Sequence, residues 1–225
     1  MSPTVRPNGS RYRLGRGIAL ALAALLVVSS CGGGSDSRSS RGSPYNAAAL
    51  RGGQCFGMLE QRQIDYTRLA DFGGGGGCGI AQALELNAST AQLSRPATLG
   101  CPLALALNDF ERRVLQPAAQ VHFGQHVRRI HHYGAYACRA RSGNAGRLSE
   151  HAQGRAIDIS AFELADGTVI KVKSDWRNAG TRSRFLWDVT RGACDVFHVV
   201  LGPNHDAAHQ DHLHFDIGAW RLCKA

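Results

Sequence analysis

HLHFDI, residues 212–217, sets three polar side chains against three apolar ones. On an extended chain His212, His214 and Asp216 share one face, while Leu213, Phe215 and Ile217 share the other. That period of two is the signature of a half-buried β-strand. The apolar side is expected to pack on a core. The polar side then presents two imidazoles and a carboxylate to a cleft. Such groups are costly to bury unpaired, and a metal ion is one way to use them.

Working outward, FHVVLGP (197–203) reads as the strand that leads to these histidines. Residues 181–192 suit a helix with Phe185, Leu186 and Val189 turned inward. AFELADGTVIKV (161–172) reads as two short strands around an Asp166-Gly167 turn. HVRRIHHYGAYACRA (126–140) alternates like a strand. Pro102 opens the best helix, with Leu103, Leu107, Phe110, Val114, Ala118 and Val121 on one face and Pro117 as an expected kink. Further back, residues 64–71 and 79–87 are strand candidates, GGGGGC (73–78) is a hairpin-type linker, and residues 55–62 form a short helix. Hairpins mixed with helices, without a βαβ rhythm, predict an α+β domain built mainly on an antiparallel sheet with helices packed on one side.

SEHAQGRAID, residues 149–158, is the second informative stretch. His151 and Asp158 stand seven positions apart, which is neither one helical turn nor one face of a straight strand. A turn between them is required, and Gly154 supplies it. AIDI (156–159) can then be a strand with Ala156 and Asp158 on one face.

The amino terminus is a different kind of sequence. Four arginines precede the apolar run IALALAALLVV (18–28) with no acidic residue among the first thirty. The run is shorter than the roughly 20 residues that cross a bilayer, and the pattern is that of a secretory signal. It ends VSSC, so Cys31 resembles the lipidated cysteine of a bacterial lipobox. An ordinary signal peptide that cuts nearby, or an uncleaved anchor, reads the same run. The expected order is a signal peptide with lipobox at 1–31, a flexible Gly/Ser-rich linker at 32–48 and one domain at 49–225. The expectation is export to the periplasm, held to a membrane through the lipid.

Loss of the first thirty residues leaves 22 of the 26 basic residues against 17 acidic ones. The charge is mild and not gathered in runs, which argues against a nucleic-acid partner. It weakly suits an anionic wall polymer. With Cys31 set aside, Cys55, Cys78, Cys101, Cys138, Cys194 and Cys223 are an even set in an exported chain, which predicts three disulfides. Proximity alone suggests Cys55–Cys78, Cys101–Cys138 and Cys194–Cys223.

These stretches carry a resemblance. SEHAQGRAID fits the S-x-H-x-x-G-x-A-x-D signature of zinc D-Ala-D-Ala carboxypeptidases and their lysostaphin and hedgehog relatives. HQDHLH (209–214) is similar to the H-x-x-H-x-H ending of murein endopeptidases in that superfamily. The layout, YGAYACR before LSEHAQGRAIDIS and HQDHLHFD near the end, resembles the bacterial extensin-like C-terminal domain family over most of residues 50–225. The resemblance implies a hedgehog/peptidase-like fold. It implies zinc held by His151, Asp158 and His214, with His212 and His209 beside the metal.

Zinc in such a site activates a water and polarises the scissile carbonyl. On this reading His212 takes the water's proton and passes it to the leaving amine, and His209 assists or orients. Arg139 resembles an arginine that meets the substrate carbonyl or carboxylate; a surface role on a strand is its alternative. Asp216 is a candidate acceptor behind an imidazole. Ser149 either bonds near the metal or caps the turn. Many relatives carry a glutamate base three residues before the last ligand, where this chain has Asp211. The functions implied are a zinc peptidase acting on peptidoglycan stem peptides or, alternatively, a non-catalytic zinc-containing wall-binding module.

Overall fold

The computed structural model describes residues 53–73, 75–141 and 144–224. The expected signal peptide, Cys31 and the linker lie outside the described residues.

Helix α1 (Gln54–Gln61) is followed by β1 (Asp65–Arg68) and a small hairpin, β2 (Phe72–Gly73) with β3 (Gly79–Ile80). Next come β4 (Ala83–Ala88), β5 (Gln92–Gly100) and helix α2 (Cys101–Phe110), then a π turn at Glu111–Leu115 and α3 (Gln116–Phe123). β6 (Val127–Gly134), a hairpin of β7 (Ala140–Arg141) and β8 (Asn144–Leu148), and the long β9 (Ala156–Leu164) form the middle. The chain closes with β10 (Val169–Lys171), α4 (Val172–Asp175), α5 (Thr181–Ala193), β11 (Val199–Leu201), β12 (Leu213–Asp216) and β13 (Leu222–Lys224).

The main sheet runs β1-β4-β5-β6-β9-β12-β11-β13, with β10 on β9. Its pairs are antiparallel except β5–β6 and β11–β13. The architecture is mixed α+β and mostly sheet, with one βαβ crossover from β5 through the helices to β6. The expectation of no βαβ unit missed this because β5, QLSRPATLG, does not read as a strand. Pro96 cannot donate to a ladder, and it sits where the β4–β5 register shifts and where β6 no longer pairs. AIDI and AFEL, taken separately in the sequence, are one nine-residue strand, β9.

Helix α2 is the spine of the core. Cys101 to Asn108 and Phe110 are all buried, so this segment is enclosed on every side. Phe110 meets Phe197 and Phe215 with ring centroids 5.6 and 5.2 Å apart. Phe215 is the apolar side of β12, so the helix directly backs the strand that carries the histidines. Beyond Phe110 the expected apolar face slips by one residue. Leu115 and Ala119 are buried, whereas Val121 is 82% exposed. A π turn inserts an extra residue per turn and rotates every later position. It stands immediately ahead of Pro117, whose missing N–H could not continue a regular α-ladder.

Three disulfides form as expected in number, but two pairings differ. The bonds are Cys55–Cys101, Cys78–Cys138 and Cys194–Cys223, with Cα separations of 6.1, 5.6 and 5.8 Å. Sequence proximity fails for the first two because the β4–β5 hairpin opposes Ala83 to Gly100. It returns the chain so that Cys101 opens α2 beside α1, leaving Cys78 to meet the segment after β6.

Candidate metal centre

The site is assembled from two neighbouring strands and one turn. β9 and β12 pair antiparallel with His214 directly opposite Asp158 and Phe215 opposite Ile157. As the alternation predicts, Leu213 and Phe215 are buried in the core and His214 faces a cleft. The turn is a short 3₁₀ segment, Glu150–Gln153. Ser149 caps it, its Oγ accepting from the His151 amide at 3.4 Å. Of the two roles open to Ser149, the geometry gives the cap.

Gly154 ends the turn in the left-handed region at φ 62°. Its carbonyl accepts from the Gly100 amide at 2.9 Å. A β-carbon there would stand 2.6 Å from Ile80 Cδ1. Both conformation and space therefore call for glycine, and the turn it makes aims His151 at Asp158.

Both histidine candidates are fixed from behind. His151 Nδ1 donates to the Ala135 carbonyl at 2.6 Å, which leaves Nε2 with its lone pair toward the cleft. His214 Nε2 donates to Asp216 at 3.2 Å, which leaves Nδ1 on the cleft side. The inward atoms form a triangle. His151 Nε2 is 3.2 Å from His214 Nδ1 and 3.2 Å from Asp158 Oδ1, and His214 Nδ1 is 2.9 Å from Asp158 Oδ1. Ligand atoms about 2.0–2.1 Å from a tetrahedral zinc lie roughly 3.3 Å apart. The donor set, two nitrogens and an oxygen with both imidazoles held on their far nitrogens, therefore fits zinc in type and spacing. Among the described residues, this is the group of His, Cys, Asp and Glu side chains close enough to hold a metal.

The same triangle polarises itself when it holds only protons. Burial works against the charged form of His214, but the Asp158 and Asp216 carboxylates overcome it and push its pKa up to about 9. Burial likewise opposes ionisation of Asp158, yet its bonds to His151 and His214 hold the carboxyl well below the usual range. A proton on His214 Nδ1 occupies the position a cation would take.

Around the triangle sits a cavity of about 540 Å³ lined by His212, His209 and Arg139, among others. His212 Nε2 is 3.6 Å from Asp158 Oδ1, while its Nδ1 bonds Asp211 at 3.0 Å. Asp211 also accepts from the Tyr133 hydroxyl at 3.2 Å. His209 bonds Asp206 at 2.6 Å, and its ring lies 5.2 Å from that of His212. Burial lowers the pKa of His209 despite Asp206, so it favours the neutral form.

Arg139 approaches Asp158 Oδ2 at 4.0 Å. It is delivered by the segment after β6, which is stitched to the turn: Ala137 N–H donates to the His151 carbonyl and Ser149 N–H to the Arg139 carbonyl. Cys78–Cys138 ties down that segment next to Arg139. All the residues singled out in the described sequence for this site thus converge.

Several contributors escaped the sequence reading. Asp211, at the position where many relatives carry a glutamate, stands behind His212. Glu150 is buried and pairs with Arg141 and Arg155 at 2.8 Å each. Gly218 has no side chain because a β-carbon would strike the Glu150 carboxyl at 2.4 Å. His205 and Trp220 line the cavity from loops that show no periodicity. His131 and His132 stay outside it, bonded to Glu163 and to the Arg95 carbonyl.

The chain matches the family described as Extensin-like protein C-terminus over residues 53–224. It belongs to that family. Comparisons with curated proteins and with solved structures return no match. The match spans from α1 to β13, so both motif stretches of this extensin-like domain fall inside it.

Proposed function

We propose that this extensin-like domain is a zinc-dependent peptidase-like protein of the cell envelope. It would use water to hydrolyse a peptide or amide bond in peptidoglycan stem peptides. Its fold would be related to that of zinc D-Ala-D-Ala carboxypeptidases, lysostaphin and hedgehog. The observation that carries the reading is the triangle of His151, Asp158 and His214 donor atoms, each pair 2.9–3.2 Å apart, beside a further imidazole.

Zinc bound by the three residues supplies a Lewis acid and an acidified water. The remaining work falls to the chain's own groups. His212 Nε2, beside Asp158, accepts the proton of the attacking water and returns it to the leaving nitrogen. Asp211 holds the opposite nitrogen of that ring, fixing its tautomer, and Tyr133 holds Asp211. Arg139 steadies the substrate carbonyl or carboxylate. The Cys31 lipid would hold the domain at a membrane, in reach of the wall.

A wall-binding module that holds zinc without catalysis would need only the triangle. The oriented His212 supports the hydrolytic reading over it. Metal analysis of the purified domain should give about one zinc per chain, lost in His151→Ala. Muropeptides incubated with the zinc form should gain the mass of one water across a cleaved bond. Zinc without turnover would leave the binding module standing; no zinc in the wild type would sink both.

A further inference from the structure

The cavity continues past the triangle to a wall that the proposed hydrolysis does not use. Trp220, between β12 and β13, lines it and is 55% exposed. The guanidinium of Arg147, from β8, lies over the indole at 5.1 Å. Trp176, by contrast, is buried and stacks on Trp187, as an indole in a structural role does.

Charge on this wall is unevenly committed. The cavity's carboxylates are all engaged within the chain. Asp158 and Asp216 hold His214, Asp206 holds His209, and Glu150 holds Arg141 and Arg155. Two of the four arginines that line the cavity are less engaged. Among the described residues Arg147 pairs with no carboxylate, and Arg139 reaches Asp158 only at 4.0 Å. An anionic group on an occupant of this region therefore meets the guanidinium groups of Arg147 and Arg139, which are not held closely by a carboxylate of the chain.

The indole narrows the class further. Here the ring shares the cavity lining with the apolar Val199, Leu201 and Leu222 as well as with guanidinium groups. A pyranose fits that setting: its C–H face packs on the indole and its hydroxyls stay in water or reach guanidinium groups.

We infer that Trp220 and Arg147 form a second subsite that takes a sugar ring of a carboxylate-bearing glycopeptide. This rests on the wall-peptide reading of the metal centre and makes its substrate a muropeptide with its sugars attached, not a free stem peptide.

The test uses the zinc-loaded domain carrying His212→Ala to prevent turnover, with calorimetry as the readout. Two ligands are compared: a disaccharide-tetrapeptide and the same tetrapeptide without sugars. The sugar-bearing ligand is expected to bind about tenfold more tightly. Adding Trp220→Ala should bring the two affinities together, and Trp220→Tyr should keep most of the preference. Converting the ligand's carboxylates to carboxamides should weaken binding several-fold in the parent and much less when Arg147→Ala is added. No preference for the sugar, or a preference that survives Trp220→Ala, overturns the subsite while leaving peptide binding intact. Absence of binding by both ligands overturns the wall-peptide reading itself.

Discussion

Replacing Gly154 by alanine tests the turn on which the site depends. The residue sits at φ 62°, and an added methyl would lie 2.6 and 2.8 Å from two carbons of Ile80 and 3.0 Å from the Gly100 nitrogen. The left-handed conformation costs a non-glycine residue about 1 kcal/mol. Forcing a methyl into a filled space costs about 1–3 kcal/mol more, because Ile80 is enclosed and the Gly100 amide is backbone. A total of about 2–4 kcal/mol follows, and with a urea slope near 2 kcal/mol/M the midpoint should fall by about 1–2 M. Urea unfolding of the oxidised, metal-free domain, followed by circular dichroism, measures it. Ile80→Val removes the nearest carbon, so in the Gly154→Ala background it should cost about 1 kcal/mol less than in the wild type. A loss below about 0.5 kcal/mol for Gly154→Ala, or no coupling to Ile80, would refute the account of the turn.

Further outcomes follow from the same geometry. Asp211→Asn should keep zinc while lowering turnover of muropeptides by about 10²-fold or more, since it frees the His212 ring to adopt the wrong tautomer; equal turnover would remove Asp211 from the mechanism. In the metal-free domain, Asp158 is held low, so its contribution to stability is present above its ordinary range near 4 and fades as pH falls below it. His214 is held high, so its contribution is complete below about 6.5 and is lost as pH rises through about 9. Denaturation of His214→Gln across that window should show a flatter alkaline limb than the wild type. Zinc affinity should climb over the same alkaline range, because metal and proton compete for Nδ1; a pH-independent affinity would contradict the geometry. Peptide mapping without reductant should recover Cys55–Cys101 and Cys78–Cys138, and removing the former, which closes 46 residues, should cost about 4 kcal/mol on the chain-entropy model.

How far the sequence could be read depended on whether a residue's role was local. The two faces of HLHFDI follow from strand periodicity alone, and His214 and Phe215 stand where that periodicity puts them. The turn at Gly154 was legible because the seven-position step from His151 to Asp158 leaves few other paths. β5 was not legible, since its fitness as a strand depends on where its neighbours stop pairing. The slipped face of α3 came from a π turn that no side-chain pattern announced. The disulfide partners depended on the β4–β5 hairpin folding back, a tertiary event. Trp220 and His205 reach the cavity from irregular segments, whose positions are set by what they pack on.

The facing of His214 and Asp158 across β9 and β12 makes the site a gauge of strand register. A slip of one residue would turn His214 into the core and bring Leu213 or Phe215 to the cleft. Only the aligned pairing completes the triangle, so a metal would bind the correct alignment and none of its neighbours. Metal capture would then act as a final inspection of folding: chains that paired these strands wrongly would stay unloaded and less stable.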